Sequence, residues 1–384
     1  MRVGVIGAGI VGACTARALS AAGVEVVVLD RGQVGSGTTS RGEGNILVSD
    51  KAPGPELQLA LASRALWDEL ADELGAAPLE FEAKGGLVIG TSARSLEVLN
   101  DFSRGQQGAG VTVSMVGPDE AHELEPWLAP DLPGGAWHPQ DAQVQPVLAS
   151  AAILADAARQ GATFHASCEV VSVQTASDGG RVTGLVTSTA GVIEVDAVVN
   201  AAGTWGGVVG ERLGAPIPVL PRRGFLLVTE PMPPRIRHKV YSADYVDNVA
   251  ASTEGLETSC VVEGTQGGTI LIGASRERVG FDKTMNPEIV QALARQAIAL
   301  FPFLAQTQLL RVYRGFRPYC PDHLPVIGPD PRVSGVLHAC GHEGAGIGLA
   351  PATAQLITAH LTGAAPIMDP TPFLPDRLID EVLA

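Results

Sequence analysis

The chain of 384 residues is 46% hydrophobic and 17% charged, which allows about two globular domains with a sizeable core. Its formal net charge of -15 argues against a nucleic-acid partner and against an anionic membrane surface, because both need a basic face. The five cysteines are odd in number and form no Cys-x-x-Cys pair, so the sequence predicts neither a disulfide framework nor a metal site.

These features also predict where the protein resides. Unpaired cysteines fit a reducing compartment, and no apolar run reaches the ~18 residues that a membrane-spanning helix needs. The first residues have the pattern of a strand and lack the basic region and cleavage site of a signal peptide. We therefore expect a cytoplasmic protein without a membrane span, and the oligomeric state stays open.

The first elements of the chain are a predicted β-α-β unit. Residues 2–7 form a short strand-like run, residues 10–22 have helical composition, and Gly23 ends that helix. Residues 24–29 (VEVVVL) form a second apolar strand. Near-continuous apolar strands of this kind are typical of a parallel sheet that is covered on both faces.

Further along the chain, predicted helices and strands continue to alternate. A polar, glycine-rich loop covers 35–45, leucines recur at helical spacing over 57–74, and 86–90 is strand-like. The remaining predictions are helices at 147–159 and 287–300, strands at 169–174, 222–230 and 268–274, a hairpin of 181–188 with 191–199, and a final strand, glycine loop and helix over 335–361. This order indicates a nucleotide-binding domain built from three segments and interrupted twice by a mainly β domain.

A glycine-rich turn between the first strand and helix carries the strongest local signal. Gly7 permits the tight turn, Gly9 lets the backbone approach a pyrophosphate, and Gly12 lets the helix pack closely on the strand. Asp30 follows at the end of the second strand, where a carboxylate can bind a ribose hydroxyl. The full motif is Gly7-Ala8-Gly9-Ile10-Val11-Gly12, and it predicts dinucleotide binding.

The turn alone leaves NAD and FAD open as the dinucleotide. A second glycine-rich loop, residues 341–348, also opens a predicted helix, but no strand ending in an acid follows it. It therefore fits a second contact to the same long cofactor better than a second nucleotide site. Its N–H groups can hold negative charge on a reduced flavin ring, as helix N-termini do for anions.

A series of short motifs then follows in order along nearly the whole chain. They are Asp30-Arg31, Gly37-Thr38-Thr39-Ser40, Glu125-Pro126-Trp127-Leu128, Ala201-Ala202-Gly203-Thr204-Trp205, Pro221-Arg222-Arg223-Gly224, Gly315-Phe316-Arg317-Pro318, Pro325-Val326-Ile327-Gly328, Gly341-His342 and Leu349-Ala350-Pro351-Ala352-Thr353. Their order and spacing resemble the superfamily of FAD enzymes that contains glycine oxidase, sarcosine oxidase and D-amino-acid oxidase. The glycine oxidase-like branch is the most similar.

The resemblance implies an α/β fold in which a Rossmann-like FAD-binding domain joins a smaller, mainly antiparallel-β substrate domain. We expect the discontinuous FAD-binding domain over 1–79, 143–220 and 312–384. The substrate domain is expected over 80–142 and 221–311.

The resemblance also implies which residues contact FAD. Thr39 and Ser40 are expected at the phosphates, and the loop 42–46 along the flavin ring near N5. Val170 or Val171 is expected at the adenine. The full implied set is Gly7, Gly9, Ile10, Val11, Gly12, Asp30, Arg31, Thr38, Thr39, Ser40, Gly44, Asn45, Ile46, Val170, Val171, Ala202, Gly203, Trp205, Arg317, Gly341, Gly344, Ala345, Gly346, Ile347 and Gly348.

Sarcosine oxidases of this superfamily tether FAD through a cysteine a few residues before a C-terminal Pro-Asp. Here Cys320 immediately precedes Pro321-Asp322, which is a different offset. We therefore expect non-covalent FAD and a free Cys320 thiol.

The substrate end depends on one cation. Arg317 matches the family's residue for the substrate carboxylate, and a planar guanidinium pairs a carboxylate through two hydrogen bonds. Cys260 and Glu263 occupy a strand where relatives often have other residues, which puts simple glycine in doubt as the natural substrate. Two tyrosines, Tyr241 and Tyr245, are candidates for a mobile lid, and surface tyrosines on a loop are the alternative. Two more residues, His342 and Glu43, are candidates for a direct catalytic part, with positioning or packing as the alternative for each.

The reaction that the resemblance implies is oxidation of a small amino acid or an N-substituted glycine. A hydride leaves the α-carbon for flavin N5, and the imine hydrolyses to glyoxylate or a keto acid plus an amine. Oxygen then reoxidises the flavin and gives hydrogen peroxide.

Three other functions remain open on the sequence. The nearest is a dehydrogenase that passes electrons to a quinone or a partner subunit, as opine, hydroxyproline and cyanide-forming relatives do. The others are a non-catalytic FAD-binding subunit and an NAD-dependent dehydrogenase.

Overall fold

The computed structural model describes residues 1–176, 180–243 and 254–379 of the chain. Its strands are β1 (Arg2–Ile6), β2 (Glu25–Leu29), β3 (Asn45–Ile46), β4 (Gly86–Ile89), β5 (Ser114–Val116), β6 (Gly135–His138), β7 (Ala142–Gln143), β8 (Thr163–His165), β9 (Val170–Thr175), β10 (Val182–Thr187), β11 (Val192–Glu194), β12 (Ala197–Asn200), β13 (Leu220–Thr229), β14 (Lys239–Ser242), β15 (Glu257–Gly264), β16 (Ile270–Arg276), β17 (Leu309–Tyr319), β18 (Val326–Pro329) and β19 (Val336–Cys340).

The α-helices are α1 (Ile10–Ala21), α2 (Pro55–Leu74), α3 (Ala76–Leu79), α4 (Ala93–Gly108), α5 (Pro118–Leu124), α6 (Pro146–Arg159), α7 (Gly206–Arg212), α8 (Pro287–Leu300) and α9 (Gly346–Thr362). Short 3-10 turns lie at Thr39–Arg41, Gly203–Trp205, Pro302–Gln306, Thr371–Phe373 and Pro375–Leu378. None of the described helices combines the length and the apolar character needed to cross a membrane.

A six-stranded sheet in the order β18-β19-β12-β1-β2-β8 forms the nucleotide-binding half. All of its neighbours pair in parallel except β18 and β19. The strands β1 and β2 are almost wholly buried, and α1 packs between α6 and α9. The predicted β-α-β unit and its parallel sheet are confirmed.

An eight-stranded sheet in the order β17-β13-β16-β15-β14-β4-β6-β5 forms the other half. Its pairs are antiparallel except for β4 with β14. The helix α8 covers one face and packs on β15, β16 and β13. Its buried residues recur every three or four positions and are Ile289, Leu293, Ala297 and Leu300. The mixed α/β architecture is therefore as expected, while the domain boundaries themselves stay a prediction.

Two parts of the secondary-structure prediction need correction. Residues 191–199 do not form one hairpin strand, because β11 pairs with β10 whereas β12 enters the parallel sheet between β1 and β19. The prediction also lacked helix α4, whose composition is polar. Ser92 caps the N-terminus of that helix and exchanges hydrogen bonds with Ser95 as a capping box.

Candidate active site

A cavity of about 450 Å³ lies between the two sheets. The turns after β1, β2 and β12 line one end, and β13, β17 and the loop before α9 line the other. Carboxyl ends of parallel strands are where α/β sheets of this type bind nucleotides. The cavity is therefore the candidate site for the cofactor and the substrate together.

At the nucleotide end, two glycines are required by geometry. Gly7 has φ +115°, and a Cβ there would lie 2.4 Å from the carbonyl oxygen of Ala201. A Cβ on Gly12 would lie 1.9 Å from the carbonyl oxygen of Gly7. The first glycine lines the cavity, and the second lets α1 pack on the turn without lining it.

The carboxylate of Asp30 organises the same turn. Its Oδ2 accepts a hydrogen bond from Ala8 N at 2.8 Å, and its Oδ1 accepts one from Gly32 N at 2.7 Å. Asp30 and Arg31 both line the cavity, and the ribose contact of the acid stays a prediction.

Two threonine hydroxyls connect the polar loop to the rest of the site. Thr39 Oγ1 accepts from Ile10 N at 3.1 Å, and Thr38 Oγ1 accepts from Thr204 N at 3.3 Å. The neighbouring Ser40 donates to Gly37 O and does not line the cavity.

The site suits a long anionic dinucleotide that ends in a flat ring. The N-termini of α1 and α9 both open on the cavity, and neither helix has an acid in its first turn. Backbone N–H groups there are suited to a pyrophosphate and to the negative charge of a reduced flavin. The lining runs from Val170 past Ala202 to Arg317, so the residues present fit FAD.

At the reaction end, Arg317 on β17 lines the cavity and is partly buried. Its Nη1 donates to Ser275 O at 2.7 Å. Gly224 leaves room for the guanidinium, because a Cβ there would lie 2.3 Å from Nη1. The neighbouring strand therefore has no side chain at the point where Arg317 crosses it.

Glu43 lines the same end and is 7% exposed. Its Oε2 accepts from Asn45 Nδ2 at 3.2 Å, and its Oε1 lies 3.9 Å from Lys239 Nζ. Burial raises the pKa of Glu43, an effect that the nearby cations Lys239 and Arg317 oppose.

His342 also lines the cavity but has a different electrostatic character. It is 4% exposed, and its Nε2 shares a hydrogen bond of 2.9 Å with Thr353 Oγ1 on α9. Burial lowers the pKa of His342 to about 3, so the imidazole is neutral near physiological pH and is a weak base.

The substrate-binding residues predicted on the central strands lie elsewhere. Tyr241 is fully buried in β14 and donates to Ser49 Oγ at 2.5 Å, so it does not belong to a lid. Cys260 and Glu263 are buried in β15, and none of these three lines the cavity. The remaining candidate, Tyr245, lies outside the described residues.

Seventeen of the predicted cofactor contacts line the cavity. They are Gly7, Gly9, Ile10, Val11, Asp30, Arg31, Thr38, Thr39, Asn45, Val170, Ala202, Gly203, Trp205, Arg317, Gly344, Gly346 and Ile347. Eight do not line it, namely Gly12, Ser40, Gly44, Ile46, Val171, Gly341, Ala345 and Gly348. Alternation along β9 explains one pair, because Val170 faces inward while Val171 is 43% exposed.

The sequence reasoning missed several residues at the reaction end. Arg41, Phe225 and Leu226 line the cavity, and Lys239 lies behind Glu43. No motif marks Lys239, which begins a four-residue strand. Within residues 1–176, 180–243 and 254–379, no group of His, Cys, Asp or Glu side chains could hold a metal ion.

An aromatic bridge spans the cavity wall between the two halves of the molecule. Trp205 stacks on Phe281 with ring centroids 5.8 Å apart, and Phe281 meets Phe316 edge to face at 5.4 Å. The guanidinium carbon of Arg31 lies 4.1 Å from the Trp205 ring centroid. Trp205 and Phe316 line the cavity, so Phe281 holds two cavity walls together.

We expect Phe281→Ala to weaken FAD binding about tenfold, since each aromatic pair contributes about 0.5–1.5 kcal/mol. The measurement is the dissociation constant of FAD, from the quenching of its fluorescence on addition to apoprotein. Val279→Ala, at a half-exposed position of the same loop, is the matched control. An equal FAD affinity in the two variants would contradict the role of Phe281.

The parallel sheet, the glycine turn and the elongated cavity define a class of protein, the flavin-dinucleotide oxidoreductases. Comparison with known proteins then gives the family. The sequence profile of the family described as FAD dependent oxidoreductase (DAO) matches residues 2–360. The chain therefore belongs to the DAO family and is FAD-dependent.

Similar proteins cover almost the whole chain. A glycine oxidase of Pseudomonas putida (strain KT2440) is 30% identical to this protein, and the alignment covers 98% of this chain and 98% of the glycine oxidase. The hydrogen cyanide synthase subunit HcnC of Pseudomonas aeruginosa (strain PAO1) is 29% identical over 86% of this chain and 76% of its own. The crystal structure of glycine oxidase from Geobacillus kaustophilus superposes with a TM-score of 0.87 at 29% identity and covers 98% of this chain and 99% of that one. The resemblance seen in the motifs is thus confirmed, and it supports amine oxidation at the level of the family.

Proposed function

We propose that the protein oxidises the amine of glycine, an N-substituted glycine or another small amino acid, with oxygen as the electron acceptor. The observation that supports this most directly is the placement of Arg317 and Glu43 at the same end of the cavity. One cation and one acid in a mostly buried space match the carboxylate and the ammonium of an amino acid.

Bound FAD supplies the redox chemistry by accepting a hydride and passing the electrons on. The protein's own residues bind and orient the substrate. Arg317 pairs with the substrate carboxylate and directs the α-carbon toward the ring, while Phe225 and Leu226 exclude water. Glu43 takes the proton of the substrate ammonium, so that the nitrogen lone pair is available for imine formation. His342 positions the loop before α9 through its hydrogen bond to Thr353.

Non-covalent attachment of FAD is part of the proposal. Cys320 is fully buried, belongs to a small apolar cluster with Val326 and Cys340, and does not line the cavity. Burial also raises the pKa of its thiol, which makes it a poor nucleophile. Release of intact FAD on acid precipitation is the expected result.

An anaerobic screen of flavin bleaching tests the substrate class. Glycine, sarcosine, longer N-alkylglycines, D-amino acids and proline derivatives are compared at equal concentration by the loss of flavin absorbance. At least one amine is expected to bleach the flavin, while carboxylates without an amine leave it oxidised. Failure of every amine would reject amine oxidation and support a non-catalytic FAD-binding subunit.

Because the chain is similar to a hydrogen cyanide synthase subunit, an electron acceptor other than oxygen must also be tested. A dehydrogenase would pass electrons to a quinone or a partner subunit. The purified protein is mixed with its best amine in air, and hydrogen peroxide is measured against amine consumed. Stoichiometric peroxide supports the oxidase, whereas turnover that needs an added quinone supports the dehydrogenase.

The pH dependence of flavin reduction is expected to follow Glu43 and not His342. Protonated Glu43 cannot accept the ammonium proton, so the rate rises as the pH rises through the pKa of Glu43. Because burial raises that pKa, the midpoint of the rise lies above the usual range of a glutamate. Stopped-flow reduction with the best amine, measured from acid to neutral pH, gives this midpoint.

Two variants check the assignment. Glu43→Gln removes the rise. His342→Gln keeps the midpoint, because a histidine whose pKa is about 3 does not titrate in this range. A midpoint that disappears in His342→Gln instead would transfer the role of base to the histidine.

A further inference from the structure

Three buried charged side chains form a row that runs from the cavity wall into the protein. Glu43 lines the cavity, whereas Lys239 and Glu263 lie behind it and do not. Lys239 Nζ is 3.9 Å from Glu43 Oε1 and donates to Glu263 Oε2 at 2.6 Å. Lys239 is fully buried, and Glu263 is 2% exposed.

Strand pairing produces this row. The antiparallel pair β14 and β15 places Val240 opposite Val262, so Lys239 and Glu263 face each other one position further on. Glu43 comes from a distant part of the sequence, the loop between the 3-10 turn at Thr39–Arg41 and β3. Only the tertiary fold brings it to the other side of the lysine.

Lys239 is shared between two carboxylates, while Lys84 acts in addition on Glu263 and Arg317 on Glu43. The shorter contact goes to Glu263, which leaves Glu43 the weaker share of the lysine's charge. Glu43 Oε1 accepts no hydrogen bond from the described residues. Its charge therefore depends on a small difference between large electrostatic effects.

The charged and titratable groups around Glu43 come from several elements. Burial and the charge of Glu263 favour the protonated form, while Lys239, Arg317 and the hydrogen bond from Asn45 favour the ionised form. The Cys260 thiol and the Tyr313 phenol also lie within electrostatic reach of Glu43. Burial raises the pKa of both of these groups, so they stay neutral, and the balance rests on the charged groups.

We propose that Lys239 and Glu263 are positioning residues that set whether Glu43 is charged in the substrate site. This rests on the proposed function only in that Glu43 faces the substrate. Lys239 favours the ionised form of Glu43, which is the form that can take an ammonium proton. Glu263 competes with Glu43 for the charge of the lysine and so weakens this stabilisation. The pair therefore sets the pH above which Glu43 can take the proton of an amine substrate.

If these two residues position the charge on Glu43, substituting each of them is expected to shift the pH at which Glu43 titrates in opposite directions. Lys239→Met removes the cation, so Glu43 is expected to titrate about one pH unit higher or more. Glu263→Gln removes the competing acid and leaves Lys239 to Glu43, so the transition moves down by a similar amount. If Lys239 and Glu263 only supported the fold, the two substitutions would not shift the midpoint in opposite directions.

The test needs no turnover. The protein with FAD bound is titrated with acetate, a carboxylate without an amine, and the dissociation constant is read from the flavin spectrum between pH 4 and 9. Ionised Glu43 repels acetate, so affinity falls as the pH rises through its pKa. The pH titration of the flavin spectrum without acetate gives a second reading of the same midpoint.

Two further variants complete the experiment. Glu43→Gln is expected to remove the transition. Lys84→Met is the matched lysine control. Lys84 contacts Glu82 and the carbonyl of Gly264 and lies within electrostatic reach of Glu263 and Lys239. It is not among the charges that act most strongly on Glu43, so the midpoint is expected to move less than in Lys239→Met.

Each outcome bears on the proposal. A midpoint unchanged in both Lys239→Met and Glu263→Gln, or no transition in the wild type by either reading, overturns it. If Lys239→Met does not fold, the downward shift in Glu263→Gln still decides. Opposite shifts in a protein whose flavin no amine bleaches would support this inference and reject the amine oxidation.

Discussion

Arg317→Ala is expected to raise the amine concentration that half-reduces the flavin by at least about thirtyfold, with FAD still bound. Removing one partner of a buried, hydrogen-bonded charge pair costs about 2–5 kcal/mol, and each 1.4 kcal/mol is a factor of ten. The guanidinium lies at the reaction end of the cavity, away from the glycine turn that is proposed to hold the nucleotide. The measurement is anaerobic flavin reduction at increasing amine, together with the ratio of flavin to protein absorbance.

Arg317→Lys is the matched control, because it keeps the charge and loses the planar fork. We expect the amine concentration that half-reduces the flavin to lie between the values of the wild type and of Arg317→Ala. An unchanged value in Arg317→Ala would remove this residue from the substrate site. Loss of FAD from that variant would instead indicate that Arg317 serves the cofactor.

Gly12→Ala is expected to abolish or strongly reduce FAD binding and to lower the free energy of unfolding by about 1–3 kcal/mol or more. The added Cβ would lie 1.9 Å from the carbonyl oxygen of Gly7, which is backbone and has little room to move. Either α1 shifts or the turn opens, and both would displace the N–H groups that are proposed to bind the pyrophosphate. Thermal unfolding and flavin content after purification measure the two effects.

Gly108→Ala is the control for an added methyl group on a helix. This glycine ends α4, and a Cβ there meets nothing within 4 Å. We expect full FAD content and a stability that is unchanged or higher by up to about 1 kcal/mol. Equal behaviour of the two variants would show that close packing at Gly12 is not needed.

Regular patterns allowed much of the fold to be predicted from the sequence. Apolar runs and glycine turns located β1, α1 and β2, leucines at helical spacing located most of α2, and α8 was predicted at its observed bounds. The secondary-structure prediction was wrong where it depended on which strands pair with each other. Residues 191–199 have one continuous strand-like pattern, but their two halves join different sheets, and no local pattern encodes a partner.

Within the site, success depended on how far apart the residues are in the sequence. The nucleotide end is made by contiguous motifs, so Gly7, Gly9 and Asp30 could be identified from a short stretch. The tyrosine and the cysteine that were predicted in the substrate pocket do not line the cavity, and the reason is a different one. Tyr241 and Cys260 lie in neighbouring strands whose side chains point into the core, and the face of a central strand is set by packing.

The sequence by itself determined the cofactor class, because a dinucleotide is bound by a local turn whose glycines must stand at set spacings. It also determined the family, through motifs whose order runs the length of the chain. Only the tertiary structure decided which buried charges meet at the reaction end. Glu43, Lys239 and Arg317 lie far apart along the chain, and the energies of buried charges depend on distances and desolvation that exist only in the folded protein.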